Sequence, residues 1–178
     1  SKNYVYSKEM EHDACGVGVI VSTEGKKSRE IVEHGIEALK AVWHRGAVDA
    51  DGKTGDGAGI HVEIPKDFFI EKIEVTGHDY DNAEICVGMI FLPRNDYSAQ
   101  ESCKTIVESE LTKNNFSIYG WRQVPVNPKI LGQKALQTMP EIIQVLFKSN
   151  DQNLLDKNLE RKIYETRKKI EKKAFQLS

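Results

Sequence analysis

Short runs of apolar and β-branched residues along the chain predict strands. The run at 60–64 alternates apolar and polar residues, as a half-buried strand does, whereas 85–92 is almost entirely apolar. A strand of the second kind is covered on both faces, so it lies at the centre of a sheet or in the core of a sandwich. The five predicted strands are 15–21, 60–64, 85–92, 116–126 and 141–147.

Longer stretches repeat apolar residues at helical spacing. One covers about 28–43 and begins with a serine in the N-cap position, and another follows the capping-box sequence SAQE at 98–101. A short helical turn after Pro65 is expected to bury Phe68 and Phe69. Because strands and helices alternate along the chain, the pattern predicts an α/β or α+β domain whose helices cover the faces of a sheet.

The last thirty or so residues also have helical spacing but a different charge. Residues 148–178 contain nine basic and five acidic side chains, a net charge of +4. This excess could form a basic surface for an acidic partner. We favour a solvated amphipathic helix whose charges pair four residues apart, as Glu165 and Lys169 would.

Composition and charge restrict the class of protein. The 178 residues have a net charge of −2, which does not suggest a broad nucleic-acid surface. There is no apolar run near the roughly 18 residues of a membrane span, and the first residues lack the apolar core of a signal peptide. Three cysteines make a disulfide framework improbable and suggest a reducing compartment. We therefore expect a cytoplasmic protein without nucleic-acid or membrane partners.

The sequence HRGAVDADGKTGDGAG, residues 44–59, is dense in glycine and aspartate. It follows a predicted helix and precedes a predicted strand, which is the reverse of a nucleotide-binding loop, and Asp51 and Asp56 would repel phosphate. A tight loop that brings its backbone close to a small ligand suits the glycines better. The five histidines are scattered and no metal-ligand spacing occurs, so we expect no metal.

The three cysteines occupy different contexts. Cys86 lies inside an apolar strand and Cys103 on the apolar face of a helix, so both are expected to be inert core residues. Cys15 opens the first predicted strand and is flanked by Ala14, Gly16 and Gly18, which leaves its sulfur uncrowded. Taken alone, this context still favours an ordinary buried cysteine.

A resemblance carried by several motifs changes that interpretation. The sequences EHDACGVG at 11–18, HRGAVDAD at 44–51 and TGDGAGI at 54–60 closely resemble the start of the class II glutamine amidotransferase domain found in glutamate synthase large subunits. Later pieces, GWRQVPV at 120–126 and PEIIQV at 140–145, resemble the same family, so the resemblance covers most of the chain. The HRG sequence recurs across class II amidotransferases, whereas EHDACGVG and TGDGAG are far more specific to the domain found in glutamate synthases.

The resemblance implies an α+β fold, the four-layer αββα sandwich of N-terminal-nucleophile hydrolases, incomplete here at its C-terminal end. Residues 1–14 would be a propeptide, and 15–178 the N-terminal part of the amidotransferase domain. Cleavage after Ala14 would make Cys15 the catalytic nucleophile, with its own α-amino group, of pKa about 7.7–8.0, as general base. While Ala14 is attached this nitrogen is an amide, so the unprocessed chain is expected to have negligible glutaminase activity.

The substrate residues implied by the resemblance are Arg45 and Gly46. Arg45 matches the family arginine that grips the α-carboxylate of glutamine, for which the planar guanidinium is suited because it bonds a carboxylate with two hydrogen bonds. Arg45 could also act as a favourable cation at the C-terminus of a helix, and the two roles are compatible. Residues 46–56 would form a flap that closes over glutamine.

The remaining parts of the reaction are expected outside this chain. The family's oxyanion-hole Asn-Gly pair has no match here and would lie beyond Ser178, so the chain alone is expected to be inactive. FMN, an iron–sulfur cluster, a reduced nicotinamide or ferredoxin donor and 2-oxoglutarate would bind elsewhere in the parent enzyme, and this chain would need no cofactor. The implied partners are L-glutamine, the remaining domains of the large subunit and a candidate small subunit.

A second hypothesis comes from a different class of protein. The same fold could serve as a non-catalytic binding or assembly module in which Cys15 is never exposed by cleavage. The two hypotheses differ in the mass of the mature protein, because only the first requires the loss of residues 1–14.

Overall fold

The computed structural model describes residues 16–42, 48–55 and 57–176, which fall into two compact units, Ser1–Val62 and Glu63–Ser178. In these residues five helices accompany one three-stranded antiparallel sheet, which confirms the α+β class. The elements are α1 (Arg29–Ala41), α2 (Lys66–Val75), β1 (Cys86–Leu92), α3 (Tyr97–Lys113), β2 (Phe116–Gln123), α4 (Gln133–Thr138), β3 (Glu141–Ser149) and α5 (Asp156–Phe175).

Helix α1 lies in the first unit, and it begins as predicted. The Ser28 hydroxyl accepts a hydrogen bond from the backbone N–H of Ile31 at 3.4 Å, which caps the first turn. Gly35 lies inside the helix, where glycine is normally unfavourable. A Cβ at Gly35 would lie 2.9 Å from Cδ1 of Ile60, so the glycine makes room for that side chain.

The strands predicted at 15–21 and 60–64 are wrong as far as the structure describes these residues. Residues 16–22 and 57–64 form no strand, and Val17 and Val19, which a buried strand would cover, are 92% and 82% exposed. A strand is held by hydrogen bonds to a neighbour, and no described segment pairs along either run. Cys15, the first residue of the predicted strand 15–21, lies outside the described residues.

The second unit is built around the sheet, whose strand order is β1-β3-β2. β3 is therefore central, and β1 is an edge of the described sheet, so the prediction of a central or sandwich-core strand at 85–92 is wrong there. Met89 and Phe91 on β1 are 51% and 64% exposed. Apolar content indicates how much a strand could bury but not which strands flank it. The ladders run from Cys86↔Phe147 to Leu92↔Glu141 and from Phe116↔Ser149 to Gln123↔Ile143.

Helices α3 and α5 cover one face of this sheet. Val107 and Leu111 of α3 and Leu159 of α5 pack against side chains that β1, β2 and β3 project to that face. These layers correspond to one helix layer and one sheet layer of the expected four-layer sandwich. The strand side chains in this cluster are Cys86, Phe116, Val145 and Phe147, with the half-buried Ile90, Ile118 and Trp121 around them.

Helix α2 packs at one end of the opposite face. Its Phe69 and Ile73 are buried against Tyr119 and Leu146. Phe68, which was also expected to be buried, is 38% exposed, because adjacent residues of a helix point in different directions.

The start of α3 differs slightly from the capping-box prediction at 98–101. Asp96 is the N-cap, and its carboxylate accepts from the backbone N–H of Ala99 at 2.9 Å. Ser98 and Asp96 both have a short polar side chain that can cap a helix, and Asp96, two residues upstream, is the one that occupies the N-cap position.

Candidate active site

The three residues predicted to form the site, Cys15, Arg45 and Gly46, lie outside the described residues. The structure describes the chain that adjoins them. Gly16 and Gly18, which follow Cys15, are exposed, and beyond the adjacent residues no heavy atom lies within 4 Å of the position that a Cβ would take at either. The chain just beyond Cys15 is thus uncrowded, whereas the predicted uncrowded sulfur of Cys15 lies outside the described residues.

Beyond Arg45, residues 48–55 fold into a hydrogen-bonded turn, here called the 48–55 turn. Val48 and Gly55 form an antiparallel β-bridge, and the backbone N–H of Asp49 donates to the carbonyl of Thr54 at 2.7 Å. Gly52 reverses the chain with a φ of +68°, a left-handed conformation that favours glycine. Val48, the last residue of HRGAV, and Gly55, the second residue of TGDGAG, are therefore neighbours in space.

The carboxylate of Asp51 organises the 48–55 turn from within. It accepts hydrogen bonds from the backbone N–H groups of Lys53 at 2.9 Å and Thr54 at 2.7 Å, and from the Thr54 hydroxyl at 2.5 Å. Sequence reasoning treated Asp51 only as a charge that would repel phosphate and missed this role. The Asp-x-x-Thr spacing was the available signal, because an aspartate commonly bonds the backbone two residues ahead.

The second unit contains a polar cluster of Asp81, Tyr119 and Lys148. The Tyr119 hydroxyl donates to Asp81 Oδ1 at 2.6 Å, and the Lys148 ammonium donates to Oδ2 of the same carboxylate. Hydrogen bonds from Lys148 and then Tyr119 lower the pKa of Asp81 to about 2. Burial, and then the bond to Asp81, raise the pKa of Tyr119. Each group has a partner, so the cluster joins the segment before β1 to strands β2 and β3.

Helix α5 is fastened to α3 by charged side chains. Glu110, buried on α3, accepts from the Lys173 ammonium at 2.5 Å, and this bond lowers the pKa of Glu110. Lys169, expected to pair with Glu165, instead donates to Asn114 Oδ1 at 2.6 Å.

Other charges of α5 pair along the helix, as Arg161 does with Glu165 and Arg167 with Glu171. The amphipathic-helix interpretation is therefore confirmed, although the example pair was wrong.

The two described cysteines agree with their predicted roles in part. Cys86 is buried, and burial raises the pKa of its thiol to about 12, so it is inert at neutral pH. Cys103 is only half-buried on α3. Within the described ranges, no three His, Cys, Asp or Glu side chains lie close enough together to hold a metal ion. Among the helices that the structure describes, none is long and apolar enough to cross a membrane.

Comparison with known proteins decides the family. The model of the class-II glutamine amidotransferases matches residues 15–178, which is nearly the whole chain. The chain belongs to this family. The resemblance on which the expected N-terminal-nucleophile fold rested is thereby confirmed.

The relatives of this class II amidotransferase chain are much longer proteins. It is 54% identical over 167 residues to the NADPH glutamate synthase large chain of Azospirillum brasilense, covering 94% of this chain and 11% of that protein. It is 41% identical to a ferredoxin-dependent glutamate synthase of Pyropia yezoensis and 40% to one of Arabidopsis thaliana, covering 93% and 91% of this chain and 10% of each relative. The chain thus spans about a tenth of the length of these relatives.

Proposed function

We propose that this chain is part of the glutaminase domain of a glutamate synthase and that the domain hydrolyses glutamine to glutamate and ammonia. The observation that carries the proposal is the family match over 15–178, which begins at Cys15. The 54% identity to a glutamate synthase large chain supports the choice of that enzyme among class II amidotransferases.

Cys15 is the proposed nucleophile. Cleavage between Ala14 and Cys15 frees an α-amino group that takes the thiol proton, and the thiolate attacks the side-chain amide carbon of glutamine. The tetrahedral intermediate collapses, the carbon–nitrogen bond breaks, and the proton leaves with the amine as ammonia. Water then attacks the γ-glutamyl thioester, which releases glutamate and restores the thiol. Residues 1–14 act as the propeptide in this scheme.

Arg45 and Gly46 form the proposed substrate site. The guanidinium of Arg45 binds the α-carboxylate of glutamine through two parallel hydrogen bonds, which fixes both the position and the orientation of the substrate. Gly46 leaves the backbone beside it open to the ligand, because it has no side chain. The uncrowded glycines after Cys15 are consistent with a substrate approaching the sulfur.

The ammonia is proposed to pass to 2-oxoglutarate elsewhere in the larger protein, where FMN, an iron–sulfur cluster and a reduced nicotinamide or ferredoxin would act. The described residues do not fit an iron–sulfur cluster, since Cys86 and Cys103 lie on different elements with no cluster of ligands around them. The partners of this chain in the proposal are glutamine, the other domains of the large subunit and a small subunit.

The test uses the full-length protein that contains this chain. Intact mass and N-terminal sequencing are expected to show Cys15 as the first residue. Cys15→Ser is expected to abolish glutamine-dependent glutamate formation and to leave ammonia-dependent formation largely intact. An active enzyme that retains Ala14, or a variant that loses both activities, would contradict the proposal and favour a non-catalytic module.

A further inference from the structure

We infer that Asp51 is a positioning residue that lowers the KM for glutamine by holding the 48–55 turn in shape before the substrate binds. The inference rests on the proposed role of Arg45, which precedes the turn by three residues. Asp51 touches no substrate in this scheme. It acts through the backbone that follows Arg45.

The need for such a residue follows from the composition of the loop. Glycines at 46, 52, 55, 57 and 59 give this part of the chain more conformational freedom than other residues would. Any segment that must be ordered around a ligand weakens binding by the entropy it loses, and a segment ordered beforehand avoids that cost. A glycine-rich substrate loop therefore binds tightly only if something else fixes it.

The geometry assigns that task to the Asp51 side chain. Its two carboxylate oxygens accept from the backbone of Lys53 and from both the backbone and the hydroxyl of Thr54, at 2.5 to 2.9 Å. Thr54 in turn accepts from the backbone N–H of Asp49 beside the Val48–Gly55 bridge. One carboxylate thus holds both the reversal of the chain and the adjoining Val48–Gly55 bridge in place.

The test measures glutamine- and ammonia-dependent activity of full-length variants. Asp51→Ala removes the acceptor and is expected to raise the KM for glutamine about fivefold or more, as loss of an ordinary hydrogen bond would. The kcat and the ammonia-dependent rate are expected to stay within about twofold of wild type, because the substitution weakens the binding of glutamine and of the transition state equally. Asp51→Asn keeps an acceptor oxygen and is expected to recover most of the affinity.

A second pair of variants and a matched control exclude a general folding defect. Thr54→Val removes the hydroxyl donor and is expected to raise the KM in the same direction, whereas Thr54→Ser is expected to leave it unchanged. Asp151 provides the control, because its carboxylate accepts from the backbone of Asn153 at 3.0 Å in the second unit. Asp151→Ala removes the carboxylate acceptor of a similar turn and is expected to leave the KM for glutamine at the wild-type value.

The possible results separate this inference from the proposed function. A wild-type KM in Asp51→Ala, beside a raised KM in Arg45→Lys, overturns the inference and leaves the proposed function standing. An equal loss of glutamine- and ammonia-dependent rates in Asp51→Ala also overturns it, since the residue would then be needed for folding. An unchanged KM in Arg45→Lys counts against the proposed substrate site itself.

Discussion

Thr76, the C-cap of α2, lies directly against Gly120 in the middle of β2. A Cβ at Gly120 would be 2.7 Å from Cγ2 of Thr76, and the Thr76 hydroxyl donates to the carbonyl of Tyr119 at 2.8 Å. Gly120 has a φ of +152° and follows a register shift in the β2–β3 ladder. The irregularity in β2 and the end of α2 therefore fit together only because residue 120 has no side chain.

Gly120→Ala is expected to lower the free energy of unfolding of the full chain by about 1–3 kcal/mol, the usual effect of forcing a methyl group into a packed site. Alanine also restricts the unfolded chain, which favours folding by about 0.4–1 kcal/mol, but the steric clash is larger. Urea denaturation measures the change. Thr76→Ser removes the nearest carbon and keeps the hydroxyl, so the double variant is expected to recover part of the loss. An unfolding free energy that does not change in Gly120→Ala would contradict this contact.

The second unit was predictable where a local pattern was enough. Helical spacing identified α3 and α5, and the apolar runs at 116–126 and 141–147 correspond to β2 and β3. Strand order was not predictable, because the apolar content of 85–92 indicates burial without naming neighbours. The β-branched run at 15–21 and the alternating run at 60–64 were wrongly predicted as strands for the same reason, since a strand requires a pairing partner that the local pattern does not identify.

Asp81 offers a test of the polar cluster through pH. Its pKa is lowered from 3.8 to about 2 by Lys148 and Tyr119. A lowered folded-state pKa means that the carboxylate stabilises the fold above its unfolded pKa and loses this contribution as the pH falls through the folded-state pKa of about 2. The side chain is 49% exposed, so solvent screening keeps the contribution well below the value implied by the full shift.

Asp81→Asn is therefore expected to lower the free energy of unfolding at neutral pH by about 0.5–1 kcal/mol. The difference between variant and wild type is expected to shrink below about pH 4 and to vanish only below about pH 2, where Asp81 is protonated in the folded as well as in the unfolded chain. Chemical denaturation at a series of pH values measures it. Asp79→Asn, an exposed carboxylate two residues away, is the control. A difference that grows on acidification would contradict the assigned sign.

Only part of the candidate site could be predicted from the sequence. Motifs around Cys15 and Arg45 indicated the family, and the match over 15–178 confirmed that membership. The role of Asp51 was missed, because a charge count does not show which donors a carboxylate meets. The Asp81 cluster was missed for a different reason: Tyr119 and Lys148 lie 38 and 67 residues away along the chain, and only the sheet brings them together.

Arg45→Lys tests the substrate site most directly. Lysine keeps the positive charge but cannot offer two parallel hydrogen bonds, so the substitution separates planar recognition from simple attraction. Loss of a charge-assisted hydrogen bond weakens binding by about 1.5–3 kcal/mol, which corresponds to a rise in KM for glutamine of about ten- to hundredfold. Steady-state kinetics of the full-length protein with glutamine and with ammonia measure the effect, and the ammonia-dependent rate is expected to be unchanged. Arg29→Lys is the matched control, because Arg29 lies on α1 and pairs with Glu33 at 3.0 Å. A wild-type KM in Arg45→Lys would mean that the α-carboxylate is bound by another residue.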